Sequence, residues 1–264
     1  MKAQGTYLEK ILARTATEIA ARKKQKPLAT LKVFAKAAPR SPPFEQTLRR
    51  SLPHRIIGEL KRKSPAQGFL DRDLDLAVTA REYTEGGTAA VAVHTEGPFF
   101  GGSLEDLARA RQGAKLPVLR LDFIVDEYQL VESRVNGASA VNLVVAALEK
   151  KQLPELMKAA RELEIEPVVE VHDAGDLDRA LDAGAGLIAI NNRELAKGTV
   201  DLGVTETLAP AASRSGALVL SYGGILTADD VRRAAAAGAE AFIIGEALLK
   251  AASRSQAVGV LKGA

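Results

Sequence analysis

Seven polar residues stand inside runs that are otherwise apolar. They are Glu59 and Lys61 in HRIIGELK, His94 in AAVAVHTE, Asn142 in SAVNLVV, Glu170 in EPVVEV, Asn191 in GLIAINN and Tyr222 in ALVLSYGG. Burying a charge or an amide is costly unless the group is paired or used, and all seven lie near the C-terminal ends of their runs, which points to one shared polar site. The chemistry on offer is proton transfer. Glu59 has the Lys61 ammonium two residues on, on the same face of a strand, and that pairing holds its pKa low, so Glu170 is the preferred general base. Tyr222, Asn142 and His94 are donors for negative charge developing on a leaving atom. Two further chemistries stay open. Lys61 is a candidate Schiff-base amine for retro-aldol cleavage, and a metal site would have to be built from His94, His172 and Glu170. No metal and no cofactor is expected.

Such residues need a frame that gathers them. The apolar runs begin near residues 54, 89, 117, 139, 166, 186, 217 and 240, with helical segments such as DLDLAVTAREYTEGG and DAGDLDRALDAGA between them. Gly-Thr or Gly-Ala pairs (Gly87-Thr88, Gly137-Ala138, Gly184-Ala185, Gly238-Ala239) precede several runs, as expected where a helix turns into the next strand. Eight strand–helix units predict an α/β fold, a closed (β/α)8 TIM barrel, with activity at the C-terminal strand ends. Leu8, Ile11, Leu12 and Ile19 recur at helical spacing and predict an extra N-terminal helix from Tyr7 to about Lys24. The stretch from Ala37 to Pro43 reads as an extended linker. The expectation is a single domain over 1–264, with a helical extension and linker over 1–44 and the barrel over 45–264.

Composition narrows the partners. Hydrophobic residues make up 47% and charged residues 26% of the 264, an ordinary balance with material for a large core. A net charge of +3 is too small to imply nucleic acid, and the run Arg22-Lys23-Lys24-Gln25-Lys26 reads as a solvated helix end. The absence of cysteine excludes disulfides and thiolate metal sites. The N-terminal segment carries charges throughout and lacks an apolar stretch, so no signal and no membrane span is expected. These features fit a cytoplasmic protein that acts on a small molecule. Aromatics are only 4% with no Trp, so each Phe or Tyr near the site carries weight.

The motifs GELKRKSPAQG, HTEGPFFGGSLEDL, DFIVDEYQ, EVHD and INNREL, in this order, resemble the strand–loop segments of the indole-3-glycerol phosphate synthase family across nearly the whole chain. That family closes the indole ring of a phosphorylated anthranilate derivative with loss of CO2 and water, using a general acid, a general base and a phosphate grip. The resemblance implies that Glu59 and Lys61 are the first-strand carboxylate and lysine, that Ser64 helps hold phosphate, that Glu170 is the fifth-strand base, and that Asn191 and Arg193 are the sixth-strand polar pair. It implies an indole pocket lined by Phe99, Phe100, Phe123 and Leu195, and a monomer as the simplest oligomeric state. Backbone N–H groups around Gly223-Gly224 and Gly245-Glu246 would meet the phosphate.

Departures from the family pattern gather in the pocket. Leu121 stands where the family's acid lysine is expected, and Tyr222-Gly223-Gly224 replaces Glu-Ser-Gly. His94 and Asn142 stand at apolar positions, and Ala66, Ala92 and Ala189 also look substituted. With GPFFGGSLEDL intact, the pattern reads as a redesigned pocket or a switch of substrate. Loss of a general acid costs about 10²- to 10⁴-fold, so the parent activity is expected to be weak or absent. Without the ammonium at 121, the Glu170 pKa is expected to rise. Beside the flat surfaces of Phe123, Phe100 and Tyr222, that makes the preferred reading a carboxylate-driven elimination from a planar heteroaromatic carbon acid of the Kemp kind, for which barrels of this family serve as scaffolds. The alternatives are the parent synthase with Lys61 taking over acid duty, and a non-catalytic barrel binding phosphate or aromatic anions through Ser64, Lys61, Arg193 and the late loops.

Overall fold

Eight parallel strands close on themselves in the computed structural model, which describes residues 7–51, 54–65, 67–194 and 198–264. The strands are β1 (Arg55–Leu60), β2 (Ala90–His94), β3 (Val118–Leu121), β4 (Ala140–Val144), β5 (Glu166–Val171), β6 (Leu187–Asn191), β7 (Leu218–Tyr222) and β8 (Ala241–Ile244). Each pairs with its neighbour in sequence, and β1 closes the ring against β8. Strand onsets fall within a residue of the starts of the apolar runs, because a strand buried on both faces in a parallel barrel reads as a continuous apolar stretch.

Alternation along each strand divides the chemistry. Inward residues Ile57, Ala92, Leu119, Ala140, Val168, Leu187, Leu220 and Ala241 fill the lower barrel as an apolar plug. Outward residues such as Ile56, Val91, Val141, Val169, Ile188 and Phe242 pack under the helix layer. Further along the inward rows come Glu59, His94, Asn142, Glu170, Asn191 and Tyr222, so the polar set sits above a dry floor.

The segment before the barrel holds three helices where one and an extended linker are expected: α1 (Tyr7–Gln25), α2 (Leu28–Ala37) and α3 (Phe44–Arg50). The Pro-rich stretch that argues for a linker is confined to the α2–α3 connection. Helix α3 closes the bottom of the barrel, where Phe44 and Leu48 are fully buried against the plug. Its free N-terminal amides are met from the barrel: the Glu166 carboxylate accepts from Phe44 N at 2.8 Å and Glu45 N at 2.7 Å, which a capping scan along the chain cannot find. Helix α1 lies at the other end, where Ile11 packs with Phe123 and Val144. Among the described residues no helix is long and apolar enough to cross a membrane.

Candidate active site

A cavity of about 310 Å³ opens at the C-terminal end of the strands, within the usual range for small-ligand sites. Glu59, Lys61, His94, Asn142, Glu170, Asn191 and Tyr222 all line it, so the seven polar residues do converge. Leu121, Phe123 and Phe100 form its apolar side; Ser64, Arg193, Gly223, Gly224, Gly245 and Glu246 lie along its rim. Phe99 instead packs beside the α1 cluster. Leu195 and Ala66 lie outside the described residues.

The carboxylates separate into two networks. Glu59, 2% exposed, accepts from Lys61 Nζ at 2.6 Å and bonds His94 Nε2 at 2.7 Å, while the Tyr222 hydroxyl donates to it at 3.2 Å. Burial pushes its carboxyl up, but the Lys61 ammonium and the bond and charge of His94 outweigh that and bring the pKa to about 2. Gly245 makes room for this group: a Cβ there would stand 2.0 Å from Glu59 Oε2. Lys61 Nζ is engaged in the same ion pair, which leaves the retro-aldol reading without a free amine. The Tyr222 phenol is pushed well above its ordinary value by burial and by the Glu59 and Glu170 charges, so it stays protonated and acts as a donor.

Glu170, 4% exposed, accepts from Asn142 Nδ2 at 2.6 Å on one side and from Asn191 Nδ2 at 2.9 Å on the other. The two amides come from β4 and β6, the strands flanking β5, and hold the carboxylate over the cavity. Asn191 is itself fixed, its Oδ1 accepting from Arg193 N at 3.0 Å, whereas Asn142 Oδ1 is buried without a partner among the described residues.

The expected rise in the Glu170 pKa is overturned. Burial does push it up, but His172, Asn191 and Asn142 together hold it below its ordinary value. A cation has in effect returned from behind: His172 Nε2 lies 3.2 Å from Glu170 Oε1, and its Nδ1 lies 3.7 Å from Asp176. Among the described residues neither ring nitrogen makes a well-aligned hydrogen bond, yet both lie close enough to the carboxylates for contact and charge to act together. Burial pulls the His172 pKa down, yet Asp176 and Glu170 raise it to about 9. Motif reading assigns His172 to an ordinary EVHD stretch and so misses this role; its place two residues after Glu170, just past the end of β5, is the signal.

A raised histidine pKa contributes stability that is fully present below the unfolded value and lost as pH rises through the folded one. The unfolding free energy from urea titration is therefore expected to fall between pH 6.5 and 9, by up to about 1.4 kcal/mol per pH unit for one proton. His172→Gln should flatten that slope, and an unaltered slope in the variant would place the titration elsewhere.

Glu96, also not foreseen, positions the aromatic wall. Its carboxylate accepts from Phe99 N at 2.8 Å and Phe100 N at 3.1 Å, capping the short turn that sets the Phe100 ring over His94 at 4.2 Å between centroids and 9° between planes. Among the described residues no three His, Asp or Glu side chains are grouped to hold a metal; His94 belongs to the Glu59 network and His172 to that of Glu170.

Comparison with known proteins agrees with this architecture. A sequence model described as indole-3-glycerol phosphate synthase matches residues 8–261. An indole-3-glycerol phosphate synthase of Laribacter hongkongensis is 39% identical over 96% of this chain and 98% of its own length. That of Albidiferax ferrireducens is 42% identical over 92% and 93%. Among solved structures, a thiamine phosphate pyrophosphorylase from Pyrococcus furiosus superposes with a TM-score of 0.58 at 13% identity, covering 79% of this chain and 94% of that one, a likeness of fold alone.

Proposed function

Because the chain belongs to the indole-3-glycerol phosphate synthase family, we propose that it is a lyase that acts on a small aromatic molecule with Glu170 as general base. The observation carrying this is the carboxylate fixed by Asn142 and Asn191 above the dry floor and beside the apolar wall of Leu121 and Phe123. Glu59, tied to three partners and held near a pKa of 2, is the poorer base, since base strength falls with pKa.

The reaction the family match supports is ring closure of a phosphorylated anthranilate derivative to indole-glycerol phosphate. Arg193, Lys61 and Ser64, with the amides of Gly224 and Gly245, form the polar rim at which phosphate would sit. The positive φ of 84° and 79° at Gly223 and Gly224 turns the chain there at little steric cost. Leu121 itself has no proton to give, so ring closure is slower on this reading than with a lysine at that position. One observation favours a second reaction: Leu121 and Tyr222 line the same cavity as Glu170, and elimination of the Kemp kind from a flat heteroaromatic needs no phosphate.

Both reactions are tested on the same pair of proteins. Indole-glycerol phosphate formation is expected to be measurable but slow, and Leu121→Lys should raise it about 10-fold, short of the 10²- to 10⁴-fold worth of a full general acid because Tyr222 still occupies the place of a second carboxylate. The same substitution should slow elimination from a benzisoxazole. No ring closure in either protein, alongside elimination by the unsubstituted one, would discard the synthase reading in favour of the second.

A further inference from the structure

We infer that Glu59 and His94 form a second proton-transfer unit, in which Nδ1 of His94 supplies to a bound substrate the proton that a lysine at position 121 would have given. This rests on the lyase reading and adds the acid to its base. The placement is direct: His94 on β2 is the register partner of Leu121 on β3, and both residues line the cavity. The acid has moved one strand around the barrel at the same height.

The hydrogen bonds decide which nitrogen faces the substrate. Glu59 is ionised, and a carboxylate only accepts, so His94 Nε2, 2.7 Å away, carries hydrogen whether the ring is neutral or charged. Proton exchange is therefore left to Nδ1. That atom has no partner among the described residues and is not among the sealed polar atoms. The Phe100 face stacked on the imidazole fixes its plane, and the Tyr222 hydroxyl, 3.3 Å from Nε2, closes the inner side. Lys61 Nζ is spent on the other Glu59 oxygen. Glu59 is thus a positioning residue, and His94 the donor.

In the dehydrating step the C–O bond of the substrate breaks and its electron pair leaves with oxygen. The Nδ1 proton converts that hydroxyl to water, His94 returns to the neutral ring with Nε2–H still on Glu59, and Glu170 takes the proton lost from the substrate. Both groups are reset by exchange with solvent at the cavity mouth. The titratable groups facing His94 are Glu59 and Lys61 from β1 and Tyr222 from β7, whereas β3 and the 97–100 turn present Leu121 and Phe100. Glu96, Asp122, Glu170, Arg193, Glu194 and Glu246 complete the charged lining of the cavity.

The test pairs kinetics with spectroscopy on the full chain. His94→Gln keeps a donor toward Glu59 but has no exchangeable acid. It is expected to lower kcat for ring closure about 10²-fold, with KM little changed. In ¹⁵N spectra of the unsubstituted protein the neutral His94 ring should carry its hydrogen on Nε2. An unchanged kcat in His94→Gln, or a neutral ring protonated on Nδ1, would overturn the proposal. Failure of the synthase reading looks different, since the unsubstituted protein would then form no indole product. Benzisoxazole elimination would then serve as the rate, with a fall in His94→Gln supporting the pair and an equal rate overturning it. The ¹⁵N assignment decides the matter without any turnover.

Discussion

Glu170→Gln is expected to lower turnover by about 10²- to 10⁴-fold, the usual worth of a positioned general base, while the barrel stays folded. The amide can be accommodated because Asn142 Oδ1 has no other partner: that side chain can turn over and accept from the new NH2, while Asn191, locked by Arg193 N, goes on donating to the remaining oxygen. Stability should fall modestly at neutral pH. A carboxylate whose folded pKa is depressed contributes stability above its unfolded value, here 4.5, and loses it as pH falls through the folded one, so the difference between the two proteins should shrink in acid. Turnover by continuous assay and urea midpoints at pH 7 and pH 4 check both halves. Loss of turnover together with loss of the folded state would assign Glu170 to structure instead.

Arg120→Met should produce the largest change in stability. Arg120 is 1% exposed on the outer face of β3. Its guanidinium donates to Thr95 Oγ1, Gln129 O and Ser133 Oγ, each at 2.9 Å, and to Asp122 at 2.7 Å. Burial pushes the Asp122 carboxyl up, but Arg120, Thr95 and the Phe123 amide hold it below the ordinary range. Methionine would fill much of the volume while leaving that buried carboxylate without its cation, a change that costs about 3–5 kcal/mol. The cost should diminish as pH falls and Asp122 takes up a proton. Because Asp122 lies between Leu121 and Phe123, activity should drop too. Equal urea midpoints for the two proteins at pH 7 would contradict this assignment.

Much of the barrel is legible in the sequence because its signals are local and repeated. Apolar runs at near-even spacing, separated by amphipathic segments ending at Gly, leave little choice of architecture, and polar residues within the runs mark the mouth. The exceptions are interactions across the chain. Glu166 caps α3 from 122 residues away, so the Pro-rich segment alone reads as a linker. Arg120 sits in an apolar run like the site residues, but one step out of phase, and only the strand alternation seen in three dimensions assigns it to the outer layer. The ionisation of Glu170 is the instructive correction. Removing a cation at position 121 argues for a higher pKa only if nothing else approaches, and His172, two residues along the chain and just past the end of β5, supplies the charge. His94 likewise reads from sequence as one donor among several, until its contact with Glu59 and its register with Leu121 give it a direction.

The most direct test of the central claim is the pH dependence of kcat/KM for whichever reaction the protein turns over, compared between the unsubstituted protein and Glu170→Gln. With Glu170 as base, activity should fall in acid only below the ordinary carboxylate value of 4.5, and the residual rate of the variant should lack that limb. A variant that keeps the limb at the same pH, or a limb that moves only when Glu59 is substituted, would assign the proton transfer to the first-strand carboxylate and contradict the mechanism.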